Sequence, residues 1–447
     1  MKITLDNINY CASVVNLKTF VDLPNCDNVK AAILFGNSVI VSKDAKEGDI
    51  GIYFPLECAI SKEFLGANNL YRKFEFGNKD TTKTGFFEQH GRVKCCKFRG
   101  NKSEGFFIGI ETLNFLGFTT TDFTVGMNFN KLDDIEICKK YVIERNIPTE
   151  KKPVKSKTPR FTDIIVENQF RFHYDTQQFK RNLDKFNDLD TIVSISNKWH
   201  GTSSVNSHIL TNRNLNWYEK LLVKFGIKLN IKQYAVVAAS RKVIKSVDEI
   251  TKGNEQHFYK EDIWTIVKDE IKDRIPKGFT VYGEIVGYVP SGGAIQSLKG
   301  NAYHYGCSEK EHKFIVYRIT FTNEDGKVIE LYWNQMKSFC VKYGFTHVVE
   351  HFYGTIGEFI ESNNKGIRFG LTNNTNEVSE KFLELLSDKY LEKMCPYNNN
   401  KVPAEGVVIR IDSLEESQAF KLKSFLFLKG ESEELDKGII DTETMES

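Results

Sequence analysis

The chain has 447 residues, of which 40% are hydrophobic and 27% are charged, and its 61 Lys and Arg nearly balance its 59 Asp and Glu. This composition excludes a disordered or fibrous protein and predicts a folded chain of two or three domains. Because the formal net charge is only +2, overall charge identifies no partner, and a basic surface for nucleic acid must come from local clusters.

The cysteines and the N-terminus predict the cellular compartment. Nine cysteines are scattered without a C-x-x-C pair or a Cys/His cluster at zinc spacing, so we interpret them as reduced thiols. The chain turns polar at Asp6 and Asn7 before an apolar signal-peptide core could form, and no apolar run reaches membrane-spanning length. We therefore expect a cytoplasmic protein with no membrane partner.

The first 145 residues predict a small β domain. Short runs of β-branched and aromatic residues alternate with turn residues, and Gly36 with Asn37 is typical of a two-residue hairpin turn. The predicted strands are residues 32–35, 38–41, 50–54, 92–98 and 105–108. This pattern predicts a closed or nearly closed barrel.

Residues 146–164 predict a linker between two domains. The segment contains Pro148, Pro153 and Pro159, and residues 151–160 include five Lys or Arg and no acid. Because proline density and charge repulsion both favour an extended, solvated chain, we place the domain boundary here.

Residues 165–430 predict a second, mostly antiparallel α+β domain, and residues 431–447 predict an acidic, solvated tail. Strand patterns dominate the second domain, and helical stretches interrupt them. The predicted strands are 191–195, 234–239, 279–285, 314–321, 327–332, 407–411 and 420–428, and the predicted helices are 217–228, 260–274 and 377–394.

Seven ionisable residues lie on or just after these predicted strands. The chain contains neither a P-loop nor a G-x-G-x-x-G motif, so a nucleotide must be bound in another way. A lysine that attacks phosphorus needs nearby cations to lower its pKa, and carboxylates can hold Mg²⁺ and ribose hydroxyls. The set therefore predicts nucleotidyl or phosphoryl transfer through a covalent lysine; its members are Lys198, His200, Arg241, Glu284, Glu405, Lys421 and Lys423.

The segment Lys-Trp-His-Gly-Thr-Ser at 198–203 resembles the nucleotidyl-lysine motif of the covalent nucleotidyltransferases, which comprise polynucleotide ligases and mRNA capping enzymes. Its K-x-H-G form is more typical of RNA ligases. Five further segments resemble the later motifs of that superfamily in order and spacing; they are residues 240–241, 282–287, 314–318, 405–410 and 421–424.

A small barrel that precedes such a domain is similar to the Deinococcus-type RNA ligase family. The resemblance implies an α+β chain with an N-terminal OB-fold β-barrel at 1–145, followed at 165–430 by an adenylyltransferase domain. That second domain would be a mostly antiparallel, ATP-grasp-like nucleotidyltransferase domain.

The resemblance also implies a reaction. Lys198 would attack the α-phosphorus of ATP, release pyrophosphate and carry AMP to a 5′-phosphate end, which a 3′-hydroxyl then joins. Glu405 would bind Mg²⁺ or Mn²⁺, and His200 would serve the steps on nucleic acid.

Five further residues receive nucleotide-binding roles from the same resemblance. Glu284 would bind the ribose hydroxyls, Tyr317 would stack on the adenine, and Arg241 would reach the nucleotide or the 5′-phosphate. Lys421 and Lys423 would contact the phosphates. Two features depart from the family: Tyr317 replaces a commoner phenylalanine, and the next residue is an arginine where ligases often have aspartate, so that aspartate's role is not transferred.

The predicted barrel carries a basic segment with one aromatic residue, formed by Lys94, Lys97, Phe98, Arg99 and Lys102. Lysines interleaved with an aromatic ring suit the backbone of a nucleic acid, and they equally suit a solvated strand edge. Both interpretations stay open at this stage.

The sequence thus predicts a monomeric, ATP-dependent RNA ligase that seals nicks in RNA or RNA/DNA duplexes. A DNA ligase or a capping-type guanylyltransferase is the enzymatic alternative. The alternative from another class is a catalytically silent nucleic-acid-binding protein.

Overall fold

The structure, a computed structural model, describes residues 1–143, 161–213, 215–248, 250–251, 259, 261–363, 370–412 and 418–439. Two hydrophobic clusters lie in the N-terminal part, between Ala12 and Cys138, and four lie in the C-terminal part, from Phe161 onward. None of these clusters mixes residues from the two parts, so each part folds around its own core.

The N-terminal part consists of short strands, short 3₁₀ turns and one α-helix, α1 (Lys62–Ala67). Its strands are β1 (Ile3–Thr4), β2 (Ala12–Asn16), β3 (Phe20–Val21), β4 (Val29–Leu34), β5 (Asn37–Ser42), β6 (Ile50–Phe54), β7 (Cys58–Ile60), β8 (Cys96–Phe98), β9 (Asn101–Ser103), β10 (Phe106–Gly109), β11 (Asn128–Phe129), β12 (Lys131–Leu132), β13 (Ile135–Glu136) and β14 (Cys138–Lys140).

Two expectations for this part need correction. The described strands form several separate sheets, the largest with the order β10-β6-β2-β11, and their pairing does not close into one barrel. The predicted strand at 92–98 shortens to β8, and upstream of it Arg92 forms only an isolated antiparallel bridge with Ala59.

The predicted hairpin forms, with its turn shifted by one residue. β4 pairs with β5 so that Leu34 lies opposite Asn37, which places Phe35 and Gly36 in the turn. Both have a positive φ, 50° and 68°, as a two-residue hairpin turn requires. The Phe35 ring lies 5.5 Å from the Tyr53 ring, so packing compensates for a conformation that non-glycine residues rarely adopt.

The C-terminal part is a mixed α/β fold with mostly antiparallel strands. Its strands are β15 (Gln177–Gln178), β16 (Ile192–Lys198), β17 (Thr202–Asn212), β18 (Lys232–Ala239), β19 (Ile244–Val247), β20 (Ile250–Thr251), β21 (Phe279–Gly287), β22 (Ser297–Leu298), β23 (Asn301–Ala302), β24 (His312–Thr322), β25 (Val328–Glu330), β26 (Thr346–His347), β27 (Glu350–Thr355), β28 (Gly406–Ile411) and β29 (Gln418–Lys423). Its helices are α2 (Phe161–Ile164), α3 (Trp217–Lys224), α4 (Ile263–Ile271), α5 (Trp333–Tyr343), α6 (Ile356–Asn363), α7 (Asn376–Tyr390) and α8 (Phe425–Asp436).

Two sheets organise this part. In the described residues, one has the order β20-β19-β18-β17-β21-β24-β25, with β26 also paired to β24, and the other has the order β15-β29-β28-β16-β27. The first sheet packs on α4 and α5, and the second packs on α6 and α7. A cavity lies between them, lined by residues of both sheets.

The predicted strand at 420–428 is wrong beyond Lys423, where helix α8 begins instead. A continuous apolar run fits a buried strand or a buried helix equally well. A residue distant in sequence stabilises the start of the helix. The Glu392 carboxylate accepts hydrogen bonds, at 2.9 and 3.2 Å, from the backbone amides of Phe425 and Leu426, which have no partner within the helix.

Both segments that flank the predicted second domain also differ from expectation. Residues 146–160 and 440–447 lie outside the described residues. Phe161 and Ile164 of helix α2, within the predicted linker, are buried against the sheet. Helix α8 continues six residues into the predicted tail, because its buried side packs against the rest of the fold.

The two parts of the chain are joined by two arginines, one buried and one half-buried. The Arg92 side chain is only 1% exposed and donates to the Ser432 carbonyl oxygen and the Asp436 carboxylate of α8, at 3.0 and 2.7 Å. From the other direction, Arg181 donates to the Ser13 hydroxyl at 2.6 Å.

Among the helices that the structure describes, none combines the length and the apolar character that crossing a bilayer requires.

Replacing Gly406 at the start of β28 should destabilise the fold. Its φ is +145°, and an added Cβ would collide with the Leu422 carbonyl oxygen of the neighbouring strand. We expect Gly406→Ala to lower the free energy of unfolding by about 1–3 kcal/mol, measured by urea denaturation. Gly370→Ala is the control, because nothing lies within 4 Å of its added Cβ; equal losses in both variants would contradict the argument.

Candidate active site

Three adjacent strands place two lysines and a glutamate together. In the register of β16, β28 and β29, Lys198 lies opposite Gly406, and Gly406 lies opposite Lys423. Glu405 directly precedes Gly406. Its Oε1 lies 2.7 Å from Lys198 Nζ and 3.1 Å from Lys423 Nζ, so one carboxylate oxygen joins the two ammonium groups.

Burial makes this ion triad an electrostatic unit. The Glu405 side chain is 0% exposed, and those of Lys198 and Lys423 are 13% and 16% exposed. A carboxylate at such depth needs cationic partners, since water does not reach it. Lys423 also lies 3.6 Å from Glu431, at the end of the second turn of α8, which links the triad to the C-terminal helix.

His200 lies behind the triad and not in the cavity wall. Its ring is buried edge-on against the rings of Tyr303 and Phe427, at 4.9 and 5.0 Å between centroids. Its Nδ1 is 4.0 Å from the Glu405 carboxylate, and its backbone amide donates to the Tyr305 hydroxyl at 2.8 Å. The structure therefore gives His200 a contact with Glu405 from the interior.

The facing sheet supplies an aromatic ring and a second buried carboxylate. Glu284 on β21 lies opposite Ser203 on β17. The register of β21 and β24 shifts between Tyr282 and Gly283, and this bulge turns Tyr317 into the cavity. The Tyr317 hydroxyl lies 3.2 Å from the Ser203 hydroxyl, and burial raises the pKa of the Tyr317 phenol.

Arg241 follows β18 and is fixed at the cavity edge by an ion pair. Its Nε donates to Asp175 Oδ1 at 3.0 Å, and a second guanidinium nitrogen donates to the same oxygen. Burial raises the pKa of the Asp175 carboxyl, but the Arg241 guanidinium outweighs burial and holds this pKa below its ordinary value.

The structure brings the predicted nucleotide-binding residues to one cavity. Lys421 and Lys423 project from alternate positions of β29 and share one face of the strand, as a period of two requires. The cavity is lined by Lys198, Arg241, Glu284, Tyr317, Lys421 and Lys423.

The predicted nucleic-acid segment of the N-terminal part does not form one open surface. Lys94 pairs with Asp436 at 2.9 Å and Lys102 pairs with Glu392 at 3.1 Å, so both face the C-terminal part. The Lys97 ammonium lies 5.9 Å from the centre of the Phe425 ring of α8.

Two members of that segment point elsewhere. Arg99 donates to the Asn25 carbonyl oxygen at 3.0 Å and lies over the ring of Phe98, which is 43% exposed. Contact of this segment with nucleic acid stays a prediction.

Sequence reasoning missed the residues that the N-terminal part contributes to the cavity. They are Tyr10, Glu57, Lys140 and Tyr141. Burial raises the pKa of the Glu57 carboxyl, against the nearby charges of Arg92, Lys423 and Lys140. No local pattern marks these residues, because only the packing of the two parts brings them to the site.

The sequence predicts no role for Arg318, and the structure places it in the wall of the cavity. Its guanidinium lies over the rings of Tyr174 and Tyr282, at 4.2 and 4.5 Å, and its Nε donates to Glu330 Oε2 at 2.7 Å. A positive charge stacked on two rings and held by a carboxylate stiffens the wall beside Tyr317.

Two carboxylates near Lys423 are the candidates to hold a magnesium ion together with a phosphate ligand. Within the described ranges, no three His, Cys, Asp or Glu side chains converge as a closed metal site. Mg²⁺ usually takes one or two carboxylates, with water and substrate phosphates completing its shell. Glu405 and Glu431 both reach Lys423 and provide that number of carboxylates.

The chain is similar in sequence to one known family. A family model described as RNA ligase matches residues 191–423, which include the triad and both walls of the cavity. A search of curated proteins finds no match.

Solved structures of an RNA ligase from Naegleria gruberi are similar in fold. A mutant with AMP and Mn has a TM-score of 0.52 at 15% identity, with 94% of this chain and 98% of that chain covered. A mutant with ATP and Mn has a TM-score of 0.52 at 14% identity, with the same coverage. A third structure, with PPi, has a TM-score of 0.52 at 12% identity and covers 94% and 97%. The shared fold spans nearly the whole of both chains.

The ion pair of Asp175 and Arg241 should make stability depend on pH. Because the pKa of Asp175 is lower in the folded state, the pair stabilises the fold above about pH 4, the ordinary value, and this contribution disappears as the pH falls through the folded pKa. We expect Asp175→Asn to lower the free energy of unfolding at pH 7, and the difference from the unmodified protein to shrink toward pH 3.

Urea denaturation at several pH values measures this difference. Asp273→Asn is the matched control, since Asp273 is exposed in a short 3₁₀ turn. A difference for Asp175→Asn that stays constant between pH 7 and pH 3 would contradict the linkage.

Proposed function

Because the chain belongs to the RNA ligase family, whose members form phosphodiester bonds, we propose that it is an ATP-dependent RNA ligase that works through a lysyl-AMP intermediate. It joins 3′-hydroxyl and 5′-phosphate ends of RNA at nicks in a duplex. The observation that supports this most is the Lys198 amine, which lies in a two-walled cavity beside a buried carboxylate and a second lysine.

The first step transfers AMP to the protein. The lone pair of Lys198 Nζ attacks the α-phosphorus of ATP, an N–P bond forms, and the P–O bond to pyrophosphate breaks. Glu405, at 2.7 Å, accepts a hydrogen bond from Nζ and orients it. The amine must lose a proton before it attacks. Glu405, at 2.7 Å, is placed to accept this proton, and the nearby Lys423 charge favours its loss.

The next two steps transfer AMP and seal the strand. The 5′-phosphate oxygen attacks the phosphorus bound to Lys198, so that the N–P bond breaks and a phosphoanhydride forms. The 3′-hydroxyl then attacks the 5′-phosphorus and AMP leaves, which creates the phosphodiester bond. Each displacement uses a phosphorus with a good leaving group.

The walls of the cavity suit the parts of ATP. Tyr317 offers an aromatic face for adenine, and Glu284 offers acceptors for the ribose hydroxyls. Arg241, Lys421 and Lys423 supply the positive charge that a triphosphate needs at the same cavity.

Glu405 and Glu431 would hold Mg²⁺ or Mn²⁺ together with ATP phosphates. When bound, the ion withdraws charge from the phosphate oxygens as the leaving group departs. The Naegleria structures with ATP or AMP and Mn support this choice of nucleotide and metal.

We assign the N-terminal part, residues 1–145, to a partly open OB-fold that contacts RNA, and residues 165–430 to the adenylyltransferase domain. The separate hydrophobic clusters support this division. The basic segment at 94–102 is one candidate for the RNA contact.

Labelled ATP tests the proposed function directly. We expect wild-type protein with Mg²⁺ to form a covalent AMP adduct and Lys198→Ala to form none, because its nucleophile is missing. Lys401→Ala, an exposed lysine outside the cavity, is the control and should label fully. An adduct on Lys198→Ala would show that another residue is the nucleophile, and labelling by GTP alone would favour a guanylyltransferase.

A further inference from the structure

The segment between strands β17 and β18 contributes no residue to the cavity described above. The connection between β17 and β18 contains helix α3; we call residues 215–232, which include the first residue of β18, the aromatic arm. The rings of Trp217 and Phe225 are 79% and 76% exposed, and Tyr218 is 49% exposed. Aromatic rings so open to water are unusual in a folded protein and indicate a binding surface.

The aromatic arm also carries four lysines, spaced four residues apart. Lys220, Lys224, Lys228 and Lys232 are all exposed, and within the described part of the chain none of them forms an ion pair. The acid of the arm, Glu219, is turned inward. The open face of the arm is therefore purely basic.

The base of the aromatic arm is fixed to the sheet. Arg213 donates to Glu219 at 2.8 Å, and the same glutamate accepts from the Asn216 amide to form a capping box at the start of α3. Its exposed rings are thus presented by an ordered element and do not belong to an unfolded loop.

We propose that the aromatic arm binds single-stranded RNA that extends from the end of the duplex around the nick. The inference rests on the proposed function and adds a second contact for the same substrate. Lysines can follow the phosphate backbone, while open rings stack on unpaired bases. The strong basic charge of the arm complements a polyanion, and duplex bases would not offer their faces to it.

The position of the arm sets the length of RNA that it can reach. Strand β17 begins at Thr202, next to the catalytic segment, and ends at Asn212 beside the arm. Its 11 residues span about 33 Å at the usual rise of an extended strand. RNA that is bound at Lys198 therefore needs several further nucleotides to reach the arm, and about ten suffice at the stacked rise of roughly 3.4 Å per nucleotide.

The exposed side chains favour RNA over an apolar partner. The two most exposed apolar side chains of the arm are flat rings, whereas its aliphatic side chains, Leu221, Val223, Ile227 and Ile231, are 42% to 48% exposed. A bilayer or a protein partner would need the aliphatic side chains as much as the rings. Stacking on bases needs the rings alone.

Binding of a nicked duplex with and without a 15-nucleotide single-stranded extension tests the proposal. We expect the extension to tighten binding of the full-length protein about tenfold or more, from stacking on two rings. The double variant Trp217→Ala/Phe225→Ala should lose this gain, yet form the AMP adduct and bind the unextended nick as before. Val341→Ala, an 81% exposed apolar residue on α5, is the control and should keep the gain.

Salt dependence separates the lysines from the rings. For the extended RNA, Lys220→Ala/Lys224→Ala should lower the slope of log K against log salt by about 1.4, the value for two phosphate contacts to a single strand. An unchanged slope would contradict the phosphate contacts.

Three outcomes overturn the proposal. The first is an extension effect that persists in the ring variant. The second is that the ring variant loses binding to phosphatidylserine vesicles while its affinity for RNA is unchanged, which would indicate a membrane-binding surface. The third is that the ring variant loses self-association while its affinity for RNA is unchanged, which would indicate an interface between copies of the chain. Absence of an AMP adduct in wild-type protein would instead reject the proposed function, so the two failures are distinguishable.

Discussion

The site depends on one buried carboxylate that two ammonium groups share. Glu405 is shielded from water, so Lys198 and Lys423 must supply its stabilisation, and each lysine is in turn held in place. Strand register makes this arrangement possible, since the two lysines flank Gly406 on opposite sides. Because the strands are packed on α6 and α7, the geometry of the triad is set by the core of the domain and does not depend on a mobile loop.

The parts of the site that the sequence predicts are those within continuous segments. The motif at 198–203 and the segments around Glu284, Glu405 and Lys421 each sit on a strand that could be recognised locally. A strand with period two also predicts that Lys421 and Lys423 share a face. The family match at 191–423 confirms the kind of protein, while the roles of single residues stay predictions.

What the sequence could not predict depends on distant partners. Helix α8 looked like a strand because its stabilising carboxylate, Glu392, lies more than thirty residues away. The expectation of a closed barrel is wrong because short β-prone runs separated by turns predict where strands lie but not how the strands pair. Likewise, Glu57 and Lys140 reach the cavity only because Arg92 and other interface residues dock the N-terminal part.

The contact between Arg92 and α8 has a consequence for how the protein is made. The N-terminal part leaves the ribosome first and can fold around its own core, as domains generally do during synthesis. The guanidinium of Arg92, however, lacks its carboxylate partner until Asp436, which is translated 344 residues later, becomes available. A nascent chain therefore carries an incomplete cavity until α8 has emerged, and cotranslational capture of nucleotide is postponed to that point.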